Sequence, residues 1–161
     1  MKETGASPTT EAEFERLAES LGFQVNYLAR LLKSELEYRL RPYNLSPTIW
    51  TVLVAMLEED GLSQRDVAAR AGLDNATMTR ALDVLEARDF INRNRDGDDR
   101  RVQIISLTEE GRKIATETAR VGEEINRAAV ELLTPNECRQ VPELIRRLTL
   151  KMESLAEGKT P

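Results

Sequence analysis

The pattern of apolar and polar residues over positions 62–108 predicts two short helices joined by a tight turn and followed by a β-hairpin. In the second helix the apolar residues recur at i, i+3, i+4 and i+7 and share the core-facing side: Met78, Ala81, Leu82 and Leu85. The opposite side carries Ala76, Thr79, Arg80 and Asp83, with Asn75 and Thr77 near the exposed amino end. An apolar back and a small or polar front suit a helix that enters the major groove of DNA, although any amphipathic helix pair shows this pattern.

Capping residues predict where these two helices begin and end. Ser63, followed three residues later by an acid, fits a capping box at the start of the first helix. Gly72 is the residue best able to leave that helix through a positive φ. The second helix is then capped by Asp74 or Asn75 and runs to about Arg88.

The hairpin is predicted from two strand-like segments, residues 90–93 and 102–107, which are rich in β-branched and aromatic side chains. The loop between them contains an Asp-Gly turn signal at residues 96–97 and adjacent arginines. A hairpin directly after such a helix is a wing, and an arginine at its tip can enter the narrow, electronegative minor groove. The alternative interpretation is a solvated charged loop.

Long amphipathic helices are predicted on both sides of this segment. The first spans residues 11–41, roughly 45 Å at about 1.5 Å per residue, and follows residues 1–10, which we expect to be disordered. Thr108 opens a second long helix, in which apolar residues alternate four- and three-residue steps as far as Leu132. A single small domain cannot cover such stripes, so a second copy of the chain is expected to pack against them.

The last helix begins at the Thr134 capping box, and Pro142 predicts that it is kinked or restarted. The expected arrangement is a mainly α chain with a small β-hairpin wing. Residues 46–108 form a winged helix-turn-helix lobe, and the helices of residues 11–41 and 109–157 form the interface of a homodimer.

The composition argues against several functional classes. The chain has 161 residues, no histidine and one cysteine, Cys138, which argues against zinc sites and histidine chemistry. No phosphate-binding glycine loop or nucleophile elbow is present, so we expect neither an enzyme nor a cofactor. Redox sensing by Cys138 is the weaker interpretation of a lone cysteine near a helix start.

Charge and hydropathy bear on the partners. The net charge is −5, but arginines crowd residues 88–101 and acids follow them, so the sum does not argue against nucleic acid. No apolar run approaches the roughly 18–20 residues of a membrane span. The first residues also lack the apolar core of a signal peptide, which predicts a cytoplasmic protein with no membrane partner.

The chain resembles the MarR family of winged helix-turn-helix regulators, and within it the SlyA-like branch. Residues 99–108 match the wing pattern D-x-R-x-x-x-hydrophobic-x-L-T of that family. Further matches are Leu-Ser-Pro at residues 45–47, Leu-Ser-Gln at 62–64 and Ala-Thr-Met-Thr-Arg at 76–80. The resemblance covers roughly residues 21–155.

The resemblance implies DNA contacts from both the wing and the helix pair. In the wing, Arg101 would enter the minor groove, Asp99 would brace it and Arg100 would contact phosphate. Arg95 belongs to the same basic hairpin. The candidate contacts in the helix pair are Ser63, Gln64, Asn75, Ala76, Thr77, Thr79 and Arg80. Arg80 can read guanine, hold a phosphate or pair with a nearby acid.

The resemblance also implies a pocket for a small ligand between the dimer helices and the DNA-binding lobe, often receptive to aromatic carboxylates or phenols. The residues expected to line it are Tyr27, Arg30, Tyr43, Thr48 and Trp50. An arginine beside aromatic rings suits an anionic aromatic ligand. The alternative is that Trp50 is a core residue. Where SlyA-like relatives carry a histidine, this chain has Val54, which argues against a ligand mode based on that histidine.

Together these features predict a homodimeric transcriptional regulator, a repressor by analogy with the family, that is released by a small ligand. A two-fold dimer places its recognition helices about 34 Å apart, so the operator should be a palindrome with half-sites about 10 base pairs apart. The alternative is a protein-binding adaptor of the same fold without DNA function, which the pI near 5.0 would suit.

Overall fold

The computed structural model describes residues 19–59, 61–95 and 103–158. Six α-helices and three strands follow one another there in the order α1 Leu21–Leu40, α2 Pro47–Ala55, β1 Leu62–Ser63, α3 Gln64–Ala71, α4 Asn75–Ala87, β2 Ile91–Arg95, β3 Gln103–Leu107, α5 Glu109–Ala129 and α6 Pro135–Glu157. A 3₁₀ turn, Arg41–Tyr43, separates α1 from α2. The predicted winged helix fold is confirmed.

The core of the lobe forms where α2 packs against α3 and α4. The predicted inner face of α4 is fully or almost fully buried: Met78, Ala81, Leu82 and Leu85. Val52 and Leu53 of α2, and Met56 directly after that helix, are fully buried as well. Ser46 caps α2 by accepting from the Ile49 N–H, and Pro47 occupies its first turn. This packing leaves the outer side of α4 exposed.

The strands form a three-stranded antiparallel sheet in the order β1-β3-β2. Ile91 pairs with Leu107 and Arg93 with Ile105, which gives the hairpin its register. Leu62 and Ser63 add a third strand beside β3. Hydrophobic alternation did not predict this strand, because two residues are too short to show a period.

Helix α1 begins at Leu21 rather than near residue 11. Ser20 is its amino cap and accepts from the Phe23 N–H, so the chain is not helical at the cap itself. The described helix is therefore 20 residues long, or roughly 30 Å. The part of the predicted helix before residue 19, like the segment 1–10, lies outside the described residues.

The chain divides into two compact units after Gly122. In the second unit α5 ends at Ala129, earlier than predicted, so Leu132 lies in the turn that follows and is almost fully exposed. Thr134 and Glu137 form the predicted capping box of α6. Helix α6 continues through Pro142 without a restart. Within the described ranges, no helix is long and apolar enough to cross a membrane.

Candidate nucleic-acid interface

Two caps and one glycine set the geometry of the turn between α3 and α4. Ser63 accepts from the Asp66 N–H at 3.2 Å, and its hydroxyl donates to the Asp66 carboxylate at 2.6 Å. Gly72 ends α3 with φ of 63°. Asp74, not Asn75, caps α4, and the backbone N–H and hydroxyl of Thr77 hold the pKa of the Asp74 carboxyl below its ordinary value.

A side-chain hydrogen bond joins the two helices of the predicted interface. The amide of Gln64 donates to the Thr79 hydroxyl at 3.2 Å, and that hydroxyl donates to the Asn75 carbonyl oxygen at 2.9 Å. Two side chains predicted to contact DNA from different helices therefore lie together on one surface. Their hydrogen bond fixes the first turn of α3 against the first turn of α4.

The outer side of α4 is exposed as the sequence predicts. Asn75, Ala76, Thr79 and Arg80 are all exposed, whereas Thr77 is half-buried and donates to the Asp74 carboxylate. Arg80 forms no ion pair with any described residue, and the nearby acid Asp83 pairs with Arg93 instead. A pairing of Arg80 with Asp99 lies outside the described residues.

The base of the wing is fastened to α4 by Arg93, which the sequence analysis did not single out. Its side chain on β2 is only 13% exposed, and its guanidinium lies 2.6 Å from Asp83 Oδ1. Its Nε lies 3.2 Å from Glu86 Oε2 without the alignment of a hydrogen bond. The sequence signal for this contact was a pair of acids three residues apart on the predicted helix, Asp83 and Glu86, followed by an arginine in the next strand.

The tip of the wing lies outside the described residues. The predicted roles of Asp99, Arg100 and Arg101 therefore stay predictions. Arg95 ends β2, where its backbone pairs with Gln103.

A cavity of about 700 Å³ opens between the amino end of α2 and the flank of α4 that carries Thr77, Arg80 and Val84. Its lining consists of Arg41, Asn44, Leu45, Ser46, Thr48, Ile49, Thr77, Arg80, Ala81, Val84 and Arg88. Of the five residues predicted to line a ligand pocket, only Thr48 is among them.

The other four predicted pocket residues have different surroundings. Arg30 lies over the Tyr27 ring on α1, with 5.0 Å between its Cζ and the ring centroid. The Tyr43 hydroxyl donates to Glu117 at 3.1 Å, and Trp50 Nε1 donates to the Thr118 carbonyl oxygen at 3.1 Å. Both aromatic residues thus join α5 to the lobe. That these residues line one ligand pocket stays a prediction.

Comparisons with known proteins agree with this geometry. Residues 45–102 match the model of the MarR family. Among solved structures, CouR from Rhodococcus jostii RHA1, bound to p-coumaroyl-CoA, is 27% identical, with 82% of this chain and 93% of that chain covered and a TM-score of 0.74. Structures of the regulator SlyA (24% identity, 85% and 96% covered, TM-score 0.77) and of an S. aureus MepR–DNA complex (21%, 82% and 98%, 0.76) share the fold.

Proposed function

We propose that this chain, whose residues 45–102 match the model of the MarR family, is a homodimeric repressor that binds a palindromic operator in the cytoplasm. The observation that carries the proposal is the exposed face of α4. That face presents Asn75, Ala76, Thr79 and an Arg80 that forms no ion pair with a described residue, on a helix whose other side is buried. This is a binding function and requires no catalytic group.

DNA would be contacted by the helix pair and by the wing. Helix α4 would lie in the major groove, with Arg80 on a guanine edge or a phosphate and Gln64 near the backbone. Arg93 supports this arrangement because it holds β2 against α4, which would aim the wing at the adjacent minor groove. We propose Arg101 as the arginine that enters that groove, braced by Asp99, with Arg100 and Arg95 near phosphates.

Dimerisation is supported by apolar side chains that the single chain leaves exposed. In the first unit they lie on α1 and in the second on α6: Leu21, Val25, Leu28 and Leu31, and Leu144, Ile145, Leu148, Met152 and Leu155. Exposed stripes of this extent mark an interaction surface. A two-fold dimer would present two copies of α4 to half-sites about 10 base pairs apart.

Release by a small ligand is the last part of the proposal. It is supported by CouR, which was solved with p-coumaroyl-CoA bound. We propose an anionic aromatic effector for this chain as well.

The experiment that tests the proposal is selection of genomic DNA fragments by the purified protein at about 0.15 M salt. The expected result is a palindrome with half-sites near one helical turn apart. Its affinity should fall steeply with salt because each phosphate contact releases counterions. The variant Arg80→Ala tests the exposed face of α4, and its affinity for the palindrome should be at least about tenfold lower. A folded dimer that recovers no fragment would overturn the proposal in favour of a protein-binding adaptor.

A further inference from the structure

Thr79 lies on the exposed face of α4, but its polar group is already engaged within the protein. Its hydroxyl donates to the Asn75 carbonyl oxygen at 2.9 Å and accepts from the Gln64 amide at 3.2 Å. A hydroxyl has one proton to donate and two lone pairs that accept. The only proton of this hydroxyl is therefore occupied, and its donation to a base would break the hydrogen bond to Asn75.

The γ-methyl of Thr79 is the part of the side chain that remains for an outside partner. Because the hydroxyl turns back toward the preceding helical turn to reach the Asn75 carbonyl oxygen, the methyl takes a different staggered position on Cβ. Thr79 is exposed, and so is Ala76, three residues before it. Residues three apart on a helix are neighbours, with roughly 5–6 Å between their Cβ atoms. The methyl groups of these two residues thus form a small apolar patch on the exposed face.

A methyl group is also what distinguishes thymine from the other bases in the major groove. Thymine presents its C5-methyl there, whereas the remaining bases are recognised by hydrogen-bond donors and acceptors. Contact between a protein methyl and the thymine methyl removes apolar surface from water. The same protein methyl placed over a polar base edge would leave a donor or acceptor without a partner. The apolar patch therefore favours thymine.

We propose that Thr79 reads a thymine in each half-site of the operator through its methyl group and not through its hydroxyl, with Ala76 packed beside it. This contact rests on the proposed DNA-binding function and specifies the base that this part of α4 selects. The Gln64 amide acts as a positioning group, because it holds the Thr79 hydroxyl from the first turn of α3. The methyl is thereby kept in one orientation before DNA binds.

Replacement of thymine by deoxyuridine in the DNA tests the contact, since it removes the C5-methyl and keeps the base pair. The duplex is the palindrome recovered in the genomic selection. Each thymine of the half-site is replaced in turn, at the symmetric positions of both half-sites. Fluorescence anisotropy with the full chain measures the Kd of each duplex.

Two variants separate the two groups of the Thr79 side chain. Thr79→Ser keeps the hydroxyl and removes the methyl, whereas Thr79→Val keeps a methyl and removes the hydroxyl. The matched control is Thr116→Ser, because Thr116 is an exposed threonine of α5 whose hydroxyl also donates to the carbonyl oxygen four residues before it. Unchanged thermal unfolding verifies that each variant is folded.

The expected result is one thymine position at which deoxyuridine raises the Kd of the unaltered chain roughly fifteenfold, since loss of one methyl contact is worth roughly fourfold in each half-site. Thr79→Ser should weaken binding of the unmodified palindrome to a similar extent and should not respond to deoxyuridine at that position. Thr79→Val and Thr116→Ser should respond as the unaltered chain does.

The reverse behaviour of the two Thr79 variants would overturn the methyl contact. If the hydroxyl contacts DNA, Thr79→Ser binds the palindrome like the unaltered chain and Thr79→Val binds it less well. Equal responses of the unaltered chain and Thr79→Ser to deoxyuridine would assign the effect to the DNA itself and would also overturn the contact. A palindrome bound with no response to deoxyuridine refutes the contact alone, whereas a folded dimer that recovers no fragment refutes the proposed function.

Discussion

The guanidinium of Arg93 lies 2.6 Å from Asp83 Oδ1 and so ties strand β2 to helix α4 across ten residues of sequence. The arginine side chain is 13% exposed and that of the aspartate 61%, so the pair is only partly shielded from water. Glu86 contributes a second carboxylate to the same guanidinium. The contact joins the base of the hairpin to the carboxyl half of α4.

Arg93→Met should lower the free energy of unfolding by about 1 kcal/mol, since two acids lose a half-shielded partner. Urea denaturation followed by circular dichroism measures the change. Lys113→Met is the matched control, because Lys113 lies 3.8 Å from Glu110 in a pair exposed on both sides. Its effect should stay below about 0.5 kcal/mol. Equal effects of the two substitutions would show that Arg93 does not fasten the wing.

Gly111→Ala should destabilise the lobe by about 2 kcal/mol or more. An ideal Cβ at Gly111 would clash with the Phe90 carbonyl oxygen. Because that oxygen belongs to the backbone, the clash is relieved only if α5 shifts away from the hairpin. Gly22→Ala is the matched control, since a Cβ there meets no atom within 4 Å. It should be neutral or stabilise by up to about 1 kcal/mol. Thermal unfolding of both variants checks the contrast, and an unchanged Gly111→Ala would contradict the packing of α5.

Asp74→Asn should make the lobe less stable at neutral pH and have no effect in acid. The Thr77 N–H and hydroxyl lower the pKa of Asp74 in the folded chain below its ordinary value of 3.8. The ionised cap therefore stabilises folding above that pH, and the contribution is lost as the pH falls through the folded-state pKa. The Tm of both proteins at pH 7 and near pH 2.5 tests this. A Tm difference that persists in acid would assign the effect to something other than the charge.

Arg101→Ala should weaken DNA binding about tenfold or more while leaving the Tm and the dimer unchanged, because the residue is expected to contact only the minor groove. Fluorescence anisotropy with the selected operator measures the loss. Lys113→Ala removes an exposed charge from α5 and should bind like the unaltered chain. Undiminished binding by Arg101→Ala would refute the wing assignment.

Leu148→Asp should convert the expected dimer to a monomer and thereby lose DNA binding. Leu148 is 44% exposed on the apolar stripe of α6, so burial of a carboxylate against a second copy would be costly. Thr149→Asp adds the same charge one residue further along the helix. Sedimentation velocity distinguishes the two, and a stable dimer in Leu148→Asp would remove α6 from the interface.

The sequence by itself determined the winged helix fold and the starts of α2, α3 and α6. Caps act over three or four residues, so Ser46, Ser63, Gly72 and Thr134 could be identified from local pattern alone. The buried face of α4 followed equally directly from the helical period. Prediction was wrong for the start of α1, where apolar periodicity continued past the cap at Ser20.

Only the tertiary structure decided which distant residues meet. Trp50 donates a hydrogen bond to Thr118, Arg93 lies against Asp83, and Arg41 and Arg80 line the same cavity. The periodicity of apolar residues along the chain predicts none of these three contacts. The physical reason is that helix periodicity shows which side of an element is buried but not which element covers it. Two aromatic residues of the predicted ligand pocket, Tyr43 and Trp50, therefore have partners on α5 that local pattern did not indicate.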